Sequence, residues 1–162
     1  MPTSGNAPTL TAAAAPPEHA DAPPDVLVDT SVAVALAVAD HAAHASTLRA
    51  VQGLRLGLSG HAWFETYSVL TRLPAPARRS PAEVRRLLAH DFPASLFLDE
   101  ASAGALGVEI ARLGIAGGSV YDALVGAAAR SHGTRLLTRD ARALAVYEAL
   151  HVDVTLLDET PW

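Results

Sequence analysis

The segment VLVDTSVAVAL, residues 26–36, decides the fold because it changes from a strand pattern to a helix pattern within a few residues. Its first three residues form an apolar run that is typical of a buried strand in a parallel sheet. The strand is predicted to end with Asp29, and residues 31–39 are predicted to form an apolar helix with Thr30 or Ser31 as its N-cap. A strand followed directly by a helix is the repeating unit of α/β proteins.

The rest of the chain continues this alternation. Further strands are predicted at residues 54–58, 96–98, 135–138 and 152–157. Further helices are predicted at residues 42–51, 59–73, 81–90, 101–113, 119–131 and 141–150. Strands separated by helices indicate a parallel sheet that is covered on both faces. We therefore predict an α/β fold with a small, mostly parallel sheet flanked by helices.

Composition narrows the classes of function. The chain has 162 residues and a formal net charge of −5, which fits one domain and argues against coating nucleic acid by bulk positive charge. It contains no cysteine, which excludes disulfides and thiol catalysis. All 12 basic residues are arginine, and the lack of lysine excludes a Walker-type phosphate loop and Schiff-base chemistry. An enzyme that binds a phosphodiester through metal ions remains compatible with this charge.

Residues 1–24 are rich in Ala, Pro and Thr. We interpret them as a disordered N-terminal extension, or as the product of an overlong start site, and place the folded domain at residues 25–162. The extension has no lysine or arginine, and its longest apolar run, residues 12–15, is too short for a secretory signal or a membrane span. We expect a soluble, cytoplasmic protein.

Two aspartates follow predicted strands. Asp29 ends the first strand, and Asp140 comes shortly after the apolar residues of the strand at 135–138. Open α/β sheets bind ligands at the carboxyl ends of their strands, so both side chains are predicted to face one cleft. Each also has a simpler interpretation, because an aspartate before a helix commonly caps it.

Glu65 lies in the middle of the helix predicted at residues 59–73. Helical spacing places Leu58, Ala62 and Val69 on its face, so the carboxylate is expected to have a partner other than solvent. That partner is either a metal ion or, alternatively, an arginine or a backbone group.

Asp122 lies one turn into the helix predicted at residues 119–131. With Ser119 it matches a capping box that has Asp in place of Glu, and the cap and metal interpretations are compatible. Four carboxylates brought together would repel one another, since one pair about 4 Å apart costs roughly 4 kcal/mol at an effective dielectric of 20. Either a divalent cation holds the four acids together or they do not converge.

These residues resemble a PIN domain, and specifically a VapC-type toxin of bacterial toxin–antitoxin modules. The matching segments are VLVDTSVAVAL, ETYSVLTRLP, GGSVYDALVGAAAR and RLLTRDARAL, and the resemblance covers about residues 25–157. It implies a PIN-like three-layer fold and an endoribonuclease that depends on Mg²⁺ or Mn²⁺. The family's acidic quartet corresponds to Asp29, Glu65, Asp122 and Asp140.

The resemblance also implies a role for each residue. The expected direct metal ligands are Asp29, Asp122 and Asp140. Glu65 is expected to bind the metal through water or to orient the attacking water. Ser31 and Thr138 match hydroxyl residues of the family and are expected to hold carboxylates by hydrogen bonds. Carboxylate oxygens and water suit Mg²⁺ and Mn²⁺, which are hard cations.

The expected partners are an RNA substrate, a cognate VapB-type antitoxin and a second copy of the chain, with no membrane. Antitoxins of this family often place an arginine against the acids. Several arginines are candidates for RNA or partner contact, although a solvated helix face is the slightly favoured explanation of the four between residues 78 and 86. They are Arg78, Arg79, Arg85, Arg86 and Arg139.

Three other classes place acids at strand ends. A phosphoryl-accepting receiver domain needs a lysine, which this chain lacks. A phosphatase of the haloacid dehalogenase type needs a second aspartate two residues after the first, where Ser31 stands. A non-catalytic PIN-like module that binds RNA or protein stays open as the alternative function.

Overall fold

The structure is a computed structural model that describes residues 22–157. Most of the predicted N-terminal extension, residues 1–21, lies outside the described residues, as do residues 158–162. The predicted domain boundary at residue 25 therefore stays a prediction. No helix within residues 22–157 is long and apolar enough to cross a membrane.

The described residues alternate short strands with helices. The strands are β1 Val26–Val28, β2 Leu56–Leu58, β3 Leu136–Thr138 and β4 Val154–Leu156. The helices are α1 Thr30–Ala37, α2 His44–Ala50, α3 Ala62–Arg72, α4 Pro81–Asp91, α5 Glu100–Leu113, α6 Ser119–Ser131 and α7 Leu144–Ala149. Helices α1 to α4 pack in one group, and α5 to α7 pack in another.

The strands form one parallel sheet in the order β2-β1-β3-β4, which confirms the predicted fold class. Strands β1 and β3 are central and fully buried, because their residues are apolar apart from the last one of β3. Since all four strands are parallel, their carboxyl ends lie along one edge. That edge receives Asp29 after β1, Ser59 after β2 and Asp140 after β3.

The strand predicted at residues 96–98 is wrong. The backbone N–H groups of Ala94 and Leu96 donate to β2, and Leu96 makes one isolated bridge with Ser59, but the pairing stops there. Asp99 then caps α5 by accepting from the backbone of Ser102, so too few residues remain for a strand. The segment covers the outer edge of β2 without becoming a fifth strand.

The other predicted elements are present, with ends that agree within three residues. Two of the differences have clear causes. Helix α1 is capped by Asp29, which accepts from the backbone N–H of Val32, so neither Thr30 nor Ser31 is the N-cap. Helix α3 begins three residues late, because Ser59 still bridges in the sheet and Gly60 follows with a φ of +52°.

Helix α6 is the most deeply buried helix that carries one of the four acids. Its middle consists of small residues, and a side chain at Gly126 would lie 2.8 Å from the ring of Tyr147 on α7. The hydroxyl of Ser59, at the end of β2, donates to the carbonyl of Val125 and ties α6 to the sheet edge. These contacts fix the first turn of α6, which carries Asp122, beside the carboxyl ends of the strands.

Candidate active site

A cleft of about 190 Å³ opens at the carboxyl edge of the sheet. It brings together all four predicted acids. Its lining residues are Asp29, Thr30, Ser31, Glu65, Asp122, Val125, Asp140 and Tyr147. A larger cavity of about 650 Å³ is lined mainly by residues of α2 and its flanks, together with Leu36, Leu56 and Phe92, and it contains none of the four acids. The chemistry is therefore concentrated in the smaller cleft.

Asp29 is the buried centre of the cleft, with 5% of its surface exposed. One carboxylate oxygen, Oδ1, accepts from the hydroxyl of Ser31 at 2.6 Å and from the backbone N–H of Val32 at 3.1 Å. The other, Oδ2, accepts a short hydrogen bond from the hydroxyl of Thr138. Burial raises the pKa of Asp29, and the hydrogen bonds from these groups oppose that rise by favouring the charged form.

The two hydroxyls also connect β1 to β3. Ser31 Oγ accepts from the backbone N–H of Arg139 at 2.7 Å, and Thr138 Oγ1 accepts from the backbone N–H of Asp140 at 3.0 Å. Each hydroxyl therefore donates to Asp29 and accepts from the chain just after β3. The position of the Asp29 carboxylate is set by the end of each central strand.

Glu65 is exposed, and its partner is a hydroxyl. Thr30 Oγ1 donates to Glu65 Oε2 at 2.7 Å, which joins α3 to the first residue of α1. The predicted apolar stripe is only partly present, because Leu58 is the last residue of β2 and precedes the helix. The predicted need for a partner was right, but the arginine or backbone group considered as an alternative is replaced by Thr30.

Asp122 is the least compensated acid of the four. Helix α6 begins after Gly118 without a side-chain cap, so the predicted capping box with Ser119 is wrong. Within residues 22–157, no group donates a hydrogen bond to the Asp122 carboxylate. Burial raises the pKa of Asp122, and the nearby charges of Asp140, Glu65 and Asp29 raise it further. The charge of Arg142 opposes this rise, but Arg142 forms its hydrogen bonds with Asp140 and none with Asp122.

Asp140 has a different environment. Its two carboxylate oxygens accept from the guanidinium of Arg142 at 2.9 Å each, and Oδ1 also accepts from the Arg142 backbone N–H. The hydrogen bonds from Arg142 hold the pKa of Asp140 below its usual range. The predicted alternative role as the cap of α7 is wrong, because Ala143 occupies the N-cap position.

The sequence pattern does not predict the roles of three residues of the site. The sequence pattern predicts only a cap role for Thr30, and it predicts no role for Arg142. Tyr147 looks like an ordinary core residue in sequence, and it is 1% exposed. Its pKa is raised by burial and then by the charges of all four acids, so its hydroxyl stays protonated. The Asp-x-Arg spacing could have indicated the pair of Asp140 with Arg142.

The candidate RNA-binding arginines have mixed surroundings. Arg78 donates to the carbonyl of Leu73 at the end of α3, and Arg79 donates to the carbonyl of Ala37 at the end of α1. Both contacts satisfy helix C-termini, as a purely structural role would. Residues 85 and 86 are exposed on α4, and Arg139 is half-buried beside the cleft. Contact of these arginines with RNA or a partner stays a prediction.

The fold and the acidic cleft agree with the result of a family comparison. A family model described as PIN domain matches residues 26–149, and the chain therefore belongs to the PIN domain family. Ribonuclease VapC27 of Mycobacterium tuberculosis (strain H37Rv) is 46% identical over 133 residues, which cover 82% of this chain and 97% of that protein. Ribonuclease VapC40 of M. tuberculosis (strain CDC 1551) is 46% identical over 132 residues, which cover 80% and 96%. The resemblance to VapC-type PIN domains is confirmed.

Proposed function

We propose that this chain is an endoribonuclease that depends on Mg²⁺ or Mn²⁺ and acts as the toxin of a type II toxin–antitoxin pair. The observation that carries the proposal is the convergence of four carboxylates on one cleft, where Asp122 has no hydrogen-bond donor among residues 22–157. Mutual repulsion makes this arrangement unfavourable unless a cation is present. The names of the two mycobacterial relatives, both ribonucleases, support the RNA substrate.

The donor set fits a hard divalent cation. All its acids offer oxygen, and the cleft volume of about 190 Å³ has room for a metal ion together with bound waters. Within residues 22–157, no three acidic or histidine side chains lie close enough together to hold a metal ion by themselves, so water would have to complete the coordination. Mg²⁺ commonly keeps several waters and binds through one or two carboxylates, so an open site suits it.

Asp29 has one acceptor position left for a ligand. A carboxylate offers about four lone-pair positions, two on each oxygen. Oδ1 already accepts two hydrogen bonds, while Oδ2 accepts only the one from Thr138. Asp29 can therefore bind a metal through Oδ2 alone. Asp122 is free to bind through either oxygen, and Asp140 can do so if Arg142 moves aside.

The metal, when bound, supplies a water of lowered pKa and stabilises negative charge on the phosphate. The residues of the chain hold and orient the reactants. Ser31 and Thr138 keep the Asp29 carboxylate fixed and charged. Glu65, exposed at the rim and oriented by Thr30, is placed to accept a proton from the attacking water. No covalent intermediate with the protein is needed.

The toxin role and the partners belong to the same proposal. The VapC names of the relatives support a VapB-type antitoxin and an RNA target, and the family resemblance supports a homodimer. The cellular test is growth arrest when the chain is induced, with relief when the product of the neighbouring gene is induced as well. Growth that continues normally at high expression of folded protein would contradict the toxin role.

Asp29→Asn tests the site itself. Asparagine caps helices as well as aspartate, so the fold should persist, whereas the loss of a charged ligand should lower cleavage more than about a hundredfold. The measurement is cleavage of a structured RNA with Mn²⁺ or Mg²⁺, with EDTA expected to stop the wild type. The matched control is Asp99→Asn, since Asp99 caps α5 in the same way away from the cleft. Full activity of Asp29→Asn would refute the site.

A further inference from the structure

The hydroxyl groups of the cleft differ in whether they already donate a hydrogen bond. Among the lining side chains, hydroxyls are present on Thr30, Ser31 and Tyr147. Thr30 donates its proton to Glu65, and Ser31 donates its proton to Asp29. The hydroxyl of Tyr147 has no hydrogen-bond partner among residues 22–157. Among the lining side chains within residues 22–157, Tyr147 is therefore the one whose hydroxyl does not already donate a hydrogen bond.

The ring of Tyr147 is held in place by close packing. A methyl group at Gly126 would lie 2.8 Å from Cδ1 and 3.3 Å from Cε1, so the ring lies directly on the backbone of α6. The backbone N–H of Tyr147 donates to the carbonyl of Ala143 within α7, and its carbonyl accepts from the N–H of Val152. Only 1% of the residue is exposed, yet it lines the cleft. The hydroxyl oxygen is not among the buried polar atoms that lack a partner, so it is open to the cleft, where an incoming group can accept its proton.

We propose that the Tyr147 hydroxyl is a substrate-binding group that donates a hydrogen bond to a phosphate oxygen of the RNA. This inference rests on the proposed ribonuclease function. The four acids can only accept hydrogen bonds when ionised, and so can the non-bridging oxygens of a phosphodiester. A phosphate that enters the cleft thus needs a donor from the protein in addition to any cation. Tyr147 is the lining side chain that can provide it without giving up an existing bond.

The inference also gives Gly126 a function. Any larger residue there would push the ring of Tyr147 away from α6, because the nearest contact is already 2.8 Å from an added methyl group. Glycine at this position lets the phenol reach the floor of the cleft beside the first turn of α6. The donor thus lies on the same helix pair as Asp122, the acid that has no hydrogen bond of its own.

Tyr147→Phe tests the proposal, because it removes the hydroxyl and keeps the ring. The measurements are kcat and KM for cleavage of a short RNA with Mn²⁺, the affinity for Mn²⁺ alone by calorimetry, and the melting temperature. We expect kcat/KM to fall about tenfold, which is typical of losing one hydrogen bond to a charged acceptor. We expect the affinity for Mn²⁺ to stay within about twofold of the wild type. The matched control is Tyr67→Phe, since Tyr67 stacks on Trp63 outside the cleft and should keep full activity.

Two results would overturn the inference. An unchanged kcat/KM in Tyr147→Phe would show that the hydroxyl does not contact the substrate. A matching loss of Mn²⁺ affinity would show that it serves the ion rather than the phosphate. Both differ from a failure of the proposed function, in which the wild type itself would neither cleave RNA nor bind Mn²⁺.

Discussion

The two sides of the cleft are built on different principles. The strand side consists of Asp29 and Asp140, at the carboxyl ends of β1 and β3. The helix side consists of Glu65 on α3 and Asp122 on α6. On the strand side, each acid accepts three hydrogen bonds from neighbouring groups. On the helix side, Glu65 accepts one and Asp122 accepts none from the described residues.

This difference shows which carboxylates of the site are held in place by groups of the chain itself. The strand side is preorganised, because hydroxyls and a backbone N–H hold the Asp29 carboxylate, while the guanidinium and backbone N–H of Arg142 hold that of Asp140. The helix side has fewer compensating contacts, because burial and then three neighbouring acids raise the pKa of Asp122, and the charge of Arg142 opposes them without a hydrogen bond. We infer that the strand side contributes stability and geometry, while the helix side contributes affinity for a cation.

The largest expected effect on stability comes from Thr138→Val, which tests the preorganised side. The substitution keeps the shape but removes the donor to Asp29 and the acceptor for the backbone N–H of Asp140. Both groups would be left buried with fewer partners, so unfolding in urea with EDTA should show a loss of about 2–3 kcal/mol. RNA cleavage should fall about 10- to 100-fold, as when a supporting hydrogen bond of a metal site is removed.

The same substitution at Thr66 is the matched control. Thr66 is also fully buried, but its hydroxyl has no hydrogen-bond partner among the described residues. Thr66→Val should therefore leave the free energy of unfolding unchanged or raise it slightly. Equal losses in the two variants would mean that the hydroxyl bonds of Thr138 do not stabilise the strand side.

A smaller effect of opposite sign is expected from Asp122→Asn. Removal of one charge from the helix side relieves repulsion by the other three acids, so the metal-free protein should gain about 1 kcal/mol, or roughly 2–4 °C in melting temperature. Saturating Mn²⁺ should raise the melting temperature of the wild type through binding to the folded state. It should raise that of Asp122→Asn much less, because a ligand is missing.

An exposed acid provides the comparison for Asp122. Glu148 lies on the surface of α7 and does not line the cleft, so Glu148→Gln should change neither the metal-free melting temperature nor the response to Mn²⁺. If Asp122→Asn lowered the metal-free melting temperature instead, the carboxylate would be stabilising the fold. The proposed division between the two sides would then be wrong.

The strand side of the cleft can be predicted from the sequence more completely than the helix side. Apolar runs that end in Asp29 and Asp140 predict strand ends, and parallel strands bring their ends to one edge by geometry alone. Ser31 lies two residues after Asp29, so its hydroxyl is also predicted to lie at this edge of the sheet. The convergence of Asp29 and Asp140 was thus predictable from short-range pattern and one rule of topology.

The helix side depends on tertiary packing that no local pattern encodes. The sequence predicts a capping box for Asp122, but the N-cap of α6 is Gly118 and no side chain caps the helix. The small residues of α6 pack against Tyr147 of α7 at Gly126. The partner of Glu65 is Thr30, which is 35 residues away in the chain. Tyr147 has the sequence context of a core residue, and only the folded structure shows that it lines the cleft while packing on Gly126.

The smallest expected effect on stability comes from Arg142→Ala. This substitution tests whether Asp140 is held in place like Asp29 on the strand side. The Arg142 side chain is 91% exposed, so its ion pair with Asp140 should contribute less than about 1 kcal/mol to folding. The same guanidinium occupies both carboxylate oxygens and competes with a cation for them. We therefore expect the affinity for Mn²⁺, measured by calorimetry, to rise severalfold in Arg142→Ala.

Arg135→Ala is the matched control. It removes a comparable exposed pair with Asp153 and should leave the affinity for Mn²⁺ unchanged. A fall in Mn²⁺ affinity in Arg142→Ala alone would instead mean that Arg142 orients Asp140 for the ion, as Ser31 and Thr138 orient Asp29.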